Sequence, residues 1–236
     1  MPVTEHTNKQ YDEDLEAIRT SMLQMGGLVE SQVRSAVGSY LSGDTEGIDN
    51  AIATDARVND LERALDEDLR TVIVRRQPAA SDLRLIMAVS KTVTDLERIG
   101  DEAAKIARMA REIHAGGNKG SMGRPAMVNH VSEISIGMLR RSLDAFARLD
   151  AAAAARVIGE DAAIDSEFHA IVRQLITFMM EDPRTISASI NVIWVAKAIE
   201  RIGDHAKNIA EQTIYIVKGT DVRHTPLAEV EREAMR

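Results

Sequence analysis

The sequence predicts an all-α chain made of two tandem, structurally similar three-helix bundles. Three observations carry that prediction. Ala, Leu, Ile, Met, Glu and Arg abound while aromatic residues make up only 3% of the chain, which favours helices over a β-rich core. Apolar residues recur at three- and four-residue spacing through segments too long for strands. One phrase, DLERIGDEAAKIAR from Asp95, returns nearly intact as AIERIGDHAKNIAE from Ala198.

The elements follow in order. From about Tyr11 to Leu41, Leu15, Ile18, Met22, Met25, Val29, Val33 and Val37 form one amphipathic stripe. SGDTEG interrupts it and offers Asp44 or Thr45 as a helix cap. A second helix runs to about Arg76 with Ile52, Val58, Leu61, Leu65, Leu69, Val72 and Ile73 on its buried face. QPAASD then breaks the pattern, because Pro78 fits the first turn of a helix and not its interior. The third helix carries the first copy of the repeated phrase and fades at HAGGNKGSMGRP, the best linker in the chain. The series then restarts: a helix from about Pro125 to Leu149, an Ala-rich one from about Ala152 to Met180, a cap-plus-proline start at Asp182-Pro183, and a last long helix to about Lys218. DARVNDLERAL from Asp55 has its counterpart in DAAIDSEFHAI from Asp161. The expected organisation is a first repeat at 11–115, a Gly-rich linker at 116–124, a second repeat at 125–219 and a polar C-terminal tail at 220–236.

Composition excludes several functions. A net charge of −8 speaks against nucleic acid or anionic lipid as the main partner. The chain has no cysteine, so it has no disulfide, thiolate metal site or thiol nucleophile. MPVTEHTNKQYDEDLEAIR lacks the basic flank and apolar stretch of a signal peptide, and no apolar run approaches the ~20 residues of a membrane span. A cytoplasmic location is expected. No phosphate-binding Gly-rich loop, nucleophile elbow, HExxH or Glu-x-x-His pair is present, so no catalytic machinery is visible.

The repeated phrase holds the most informative residues. Glu97/Asp101 and Glu200/Asp204 are like-charge i, i+4 pairs, which weaken a helix by roughly 0.2–0.5 kcal/mol. The glycine before each aspartate, Gly100 and Gly203, costs about 1 kcal/mol more against alanine. Placed at 100° per residue, Leu96, Ile99, Ala103, Ile106, Ala110 and Ile113 form the apolar stripe of the third helix, and Val192, Val195, Ile199, Ile202, Ala206 and Ile209 that of the sixth. The acidic pairs fall opposite these stripes, on an outer or groove face where the glycine admits another backbone or a ligand. A solvated face is the plain reading: Asp101 has Lys105 within reach, and Arg98 and Arg201 reach the aspartates at i+3. Against it stands the repetition, with further polar groups on each preceding helix at Asp55, Asn59 and Glu62 and at Asp161 and Asp165. Antiparallel helices would bring these together into an oxygen-rich set suited to magnesium, calcium, manganese or iron, with His205 and His169 near enough to add nitrogen.

QPAASDLRLIMAVSKTVTDLERIGDEAAKIA and AIERIGDHAKNIAE resemble the two signature segments of the PhoU family, over about residues 12–218. The first copy departs from the family pattern at Glu102, where a histidine is more usual, and at Lys105. The resemblance implies two three-helix bundles and a cytoplasmic, non-enzymatic negative regulator of the phosphate-starvation response. It implies an adaptor between the ATPase of a phosphate ABC transporter and a sensor histidine kinase, peripheral to the membrane only through those partners, and commonly a homodimer. It further implies multinuclear clusters of iron, manganese, magnesium or zinc held by Glu97, Asp101 and Asp55 in the first half and by Glu200, Asp204, Asp161 and Asp165 in the second. Asn59 stands where an aspartate is expected, so a weaker first site is anticipated. The alternatives are a metal-dependent phosphoryl-transfer or hydrolytic enzyme, for which Arg98, Lys105, Arg201 and Lys207 are the local cations, and a helical scaffold without a metal.

Overall fold

Seven α-helices account for nearly all of the residues that the computed structural model describes, 9–115 and 125–236; the expected linker at 116–124 lies outside them. Helix α1, Lys9–Ser42, buries the full stripe from Leu15 to Val37 and adds Tyr11 and Tyr40 at its ends. It stops at Gly43, whose φ of 76° places it in the left-handed region and whose N–H donates to the Ser39 carbonyl at 2.8 Å. Asp44 then caps α2, Thr45–Arg76, by accepting from the Glu46 N–H at 3.1 Å. Of the face expected for α2, Val58, Leu65, Leu69 and Val72 are buried, whereas Ile73 is exposed near the helix end. Pro78 stands in the connection before α3, Ala80–Ala115, and not inside its first turn.

The second half repeats this plan. Helix α4, Pro125–Arg148, opens on a proline whose missing N–H has no intrahelical partner to lose. Asp150 caps α5, Ala151–Glu181, by accepting from the Ala153 N–H at 2.8 Å. Asp182 caps a single 3-10 turn, Pro183–Thr185, that feeds directly into α6, Ile186–Lys218, which Gly219 ends at φ 76°. The tail is not polar throughout: α7, Leu227–Met235, is amphipathic, burying Val230 and Ala234 where it lies along α5, and Val222 ahead of it is buried as well.

Helices α1, α2 and α3 pack as one bundle and α4, α5 and α6 as another. The bundles meet where α3 lies on α6 and α1 on α4, so each helix at the junction faces its own counterpart, as in a two-fold arrangement. The central seam is antiparallel. Along it Lys91 stands over the Tyr215 ring, Asp95 meets His205 and Asn208, Glu102 meets Arg201, and Lys105 stands over the Trp194 ring. The α1–α4 contact is close because of Gly26, where a Cβ would stand 2.7 Å from Leu143 Cδ2.

Candidate metal centre on the repeated helices

A helix surrounded on three sides has little outer face, and that changes where the carboxylates stand. Helix α3 is covered by α1, α2 and α6, and α6 by α3, α4 and α5. The apolar stripes occupy their expected place: Leu96 to Ala110 and Val192 to Ile209 are buried. The strip beside them, however, forms the floor of the α2–α3 and α5–α6 grooves instead of an open surface. Glu97 and Asp101 are half-buried, Asp204 likewise, and Glu200 retains only 8% exposure. The sequence reading of unburied carboxylates is therefore corrected for Glu200. The stripe located the core against the first helix of each unit but not the cover supplied by the second.

The two glycines serve that cover. A Cβ on Gly203 would stand 2.6 Å from Ile164 Cδ1 of α5, and one on Gly100 would lie 3.2 Å from both Val58 Cγ1 of α2 and Gln32 Oε1 of α1. Their missing side chains are filled by the neighbouring helices, not left open for a ligand. Gln32 uses the same approach, donating to the Ala51 and Gly100 carbonyls at 3.0 and 3.2 Å and so tying α1 to α2 and α3.

In the first groove four carboxylates act on one another. Burial raises the Glu97 pKa, and the charges of Asp101, Glu62 and Asp55 raise it further against the opposing pull of Arg98. Asp55 is raised by burial and by Asp101, with Gln32 and Arg108 working the other way. Glu62 is raised by burial and Asp66, opposed by Arg98. Arg98 lies 3.5 Å from Glu97 and 3.8 Å from Asp101. In the second groove burial raises Asp204 to about 6, reinforced by Glu200, Asp161 and Asp165 and opposed by Lys197. Lys197 Nζ donates to Glu200 Oε1 at 2.5 Å, and Lys207 Nζ to Asp161 Oδ2 at 2.6 Å. The charges around Asp204 thus act on one another, and so do those around Asp101. Asn59 is half-buried one turn along α2 from Asp55, and Asp165 is exposed.

Neither histidine joins the acidic sets. His205 turns into the seam, its Nδ1 2.8 Å from Asp95 Oδ1, an oxygen that also accepts from Asn208 at 2.9 Å. His169 is exposed, its ring beside that of Phe168. The expected ion pairs shift too. Lys105 donates to Glu102 and not Asp101, and Arg201 reaches across the seam to Glu102 at 3.1 Å instead of back to Asp204. The pairing of Asp95, Glu102 and Arg201 across the seam is what sequence reasoning missed. Its one signal was the mismatch between the copies, Asp95 against Ala198 and Glu102 against His205.

The donors fit a hard cation in kind, being all oxygen, and Asp55 Oδ1 and Glu200 Oε2 are buried acceptors without a hydrogen-bond partner. As placed, no three His, Asp or Glu side chains among the described residues are grouped tightly enough to share one ion. Lys197 and Lys207 occupy the second groove instead.

Two matched helical units bearing carboxylate grooves at equivalent places define a tandem-repeat helical scaffold. The PhoU domain model matches it twice, over residues 22–110 and 128–213, and the chain belongs to the PhoU family. It is 46% identical over 231 residues to the phosphate-specific transport system accessory protein PhoU homolog of Pseudomonas aeruginosa, covering 98% of this chain and 95% of that one. It is 42% identical over 232 residues to the phosphate-specific transport system accessory protein PhoU of Escherichia coli K12, covering 98% and 94%. The crystal structure of PhoU from Pseudomonas aeruginosa matches with a TM-score of 0.85 at 46% identity, covering 89% of this chain and all of that one. That of the phosphate transport system regulatory protein PhoU from Streptococcus pneumoniae matches at 0.83 and 25% identity, covering 90% and 99%. No helix among the described residues is long and apolar enough to cross a membrane.

Proposed function

We propose that this chain is a cytoplasmic, non-enzymatic adaptor that damps the phosphate-starvation response and modulates phosphate uptake. Its partners in this reading are the ATPase of a phosphate ABC transporter and a sensor histidine kinase. The names of its relatives, accessory and regulatory proteins of phosphate transport, support the setting. The observation that carries the molecular part is the recurrence of three carboxylates at matched positions, Glu97, Asp101 and Asp55 in one groove and Glu200, Asp204 and Asp161 in the other, with a buried, unpartnered oxygen in each.

A divalent cation would be held by Glu97, Asp101 and Asp55 in one groove and by Glu200, Asp204, Asp161 and Asp165 in the other, where it supplies positive charge. Holding it there would require the side chains to draw closer and Glu200 and Asp161 to give up Lys197 and Lys207. Bare carboxylates attract cationic surfaces and repel acidic ones, and a filled groove does the reverse, so occupancy selects among partners. Asn59, a neutral amide, makes the first groove the weaker of the two.

A second reading has its own observation: Lys197 and Lys207 already neutralise half of the second set, as in a scaffold that needs no metal. Metal analysis of chain purified without chelators, together with binding to the kinase cytoplasmic domain, separates the two. On the adaptor reading Glu200→Gln with Asp204→Asn lowers metal content and alters kinase binding. If both stay unchanged, the metal-adaptor reading is wrong and the lysine-neutralised scaffold stands.

A further inference from the structure

Each helix hairpin ends in exposed apolar side chains, and the two ends match. On the first, Val74 of α2 is 77% exposed and Leu83 and Met87 of α3 are 41% and 45% exposed. On the second, Met180 of α5 is 80% exposed and Ile186 and Ile190 of α6 are 42% and 43% exposed. Aligning α2 with α5 on their DAR and DAA segments pairs Val74 with Met180. Aligning α3 with α6 on the repeated phrase pairs Leu83 with Ile186 and Met87 with Ile190. A single exposed apolar residue is ordinary, but three at matched positions in two diverged copies mark an interaction surface. Trp194, half exposed, stands one turn beyond Ile190.

These tips lie on the acidic grooves. Leu83, Met87, Ser90, Thr94, Glu97 and Asp101 recur at alternating four- and three-residue steps and so share one face of α3, as Ile186, Ile190, Ile193, Lys197, Glu200 and Asp204 do on α6. The antiparallel α2 and α5 bring Val74 and Met180 to the apolar end and Asp55 and Asp161 to the acidic end. Each groove therefore changes from apolar to anionic over roughly 27 Å of helix. In the second, Lys197 and Lys207 pair with two of the four carboxylates, Glu200 and Asp161.

We propose that each groove docks one amphipathic helix of a protein partner, its apolar face on the hairpin tip and its lysine- or arginine-bearing end on the carboxylates, so that one chain holds two such helices. The apolar tip supplies area and the carboxylates set direction and charge, the groove mode of helix recognition. Because α3 and α6 run antiparallel, the grooves are related as by a two-fold axis, which suits a partner that is itself two-fold symmetric. The inference rests on the adaptor reading only in that the partner is a protein; it describes the cation-free groove.

Trp194, the only tryptophan, stands one turn from Ile190 and under Lys105 at the seam, so its emission reports binding at the second tip and calorimetry counts the sites. The probe is an 18-residue leucine–lysine amphipathic peptide with its lysines clustered toward one end, compared with its glutamate counterpart, against chelator-treated full chain. The lysine peptide is expected to blue-shift the Trp194 emission saturably, to bind at least tenfold more tightly than the glutamate peptide, and to reach two per chain by calorimetry. Met180→Glu with Ile190→Glu abolishes the shift and leaves one site; Val74→Glu with Met87→Glu keeps the shift and also leaves one site. All four positions are surface residues, and unchanged circular dichroism establishes that the variants fold. No shift, equal binding of the glutamate peptide, or one site in the wild type overturns the proposal. A shift on concentrating the chain alone also overturns it, by assigning the tips to a second copy. Peptide binding without any transporter or kinase binding removes the adaptor reading and leaves this one; kinase or transporter binding without peptide binding removes this one alone.

Discussion

Replacing Glu211 by glutamine is expected to stabilise the protein at alkaline pH and to leave it nearly unchanged in acid. Glu211 lies on α6 with 8% exposure, and burial lifts its carboxyl from 4.5 to about 7 although Lys207 and Arg223 pull it down. Asp221 and Asp95 add to the rise. A folded pKa above the unfolded value means that the fold favours the proton. Relative to the unfolded chain, that preference is fully expressed below pH 4.5 and is lost as pH climbs through 7. The difference corresponds to about 3 kcal/mol at 1.36 kcal/mol per unit, and residual compactness of the unfolded chain brings the expectation to about 1–3 kcal/mol. Urea unfolding of wild type and Glu211→Gln, followed by helical circular dichroism at pH 4.5, 6 and 8, measures it. The variant gains progressively from the lowest pH to the highest. Equal stability at pH 8, or a loss there, would show that Glu211 is held as a favourable ion pair with Lys207 or Arg223 and would refute the reasoning.

Three further substitutions, one of them with a neighbouring control, probe the packing, the seam and a helix cap. Gly203→Ala gains about 1 kcal/mol of helix propensity but forces the Ile164 Cδ1 methyl to shift within its buried seat, so a net loss of about 1 kcal/mol in urea is expected; a gain would mean that Ile164 repacks freely. Asp95→Ala removes the acceptor shared by His205 and Asn208 at the seam and should cost about 1–3 kcal/mol at neutral pH, whereas Thr94→Ala next to it, exposed, should cost little. Asp150→Ala removes the cap of α5 and should lower stability by about 1 kcal/mol, read as a fall in the thermal midpoint.

The fold was legible because each long helix shows its core through period alone. The stripes of α1, α3 and α6 occupy the core as the spacing places them, and Asp44, Asp182 and Gly219 mark ends by local chemistry that needs no tertiary knowledge. That Glu97 and Asp55, and Asp204 and Asp161, feel each other's charge follows from antiparallel neighbours. The depth of Glu200 did not, since a hydrophobic stripe reports the best-covered side of a helix and says little about a groove wall formed by α5. The orientation of His205 was illegible for a sharper reason. Its partner Asp95 lies on the other repeat, and the copies differ at both positions, so neither half contains the information alone. The exposure of Ile73 at a hairpin end likewise depended on where the neighbouring helix begins.

The seam between α3 and α6 also determines whom each half can marry. If two first halves met in this geometry, Asp95 of each would confront Glu102 of the other, anion against anion, twice over. If two second halves met, each His205 would face Ala198 and lose its acceptor. Only the unlike pairing puts an imidazole opposite an aspartate, because the guanidinium opposite Glu102 is present in both copies, as Arg98 and as Arg201. Once the copies had diverged at these positions, neither could be replaced by the other, and a duplication became a single indivisible molecule.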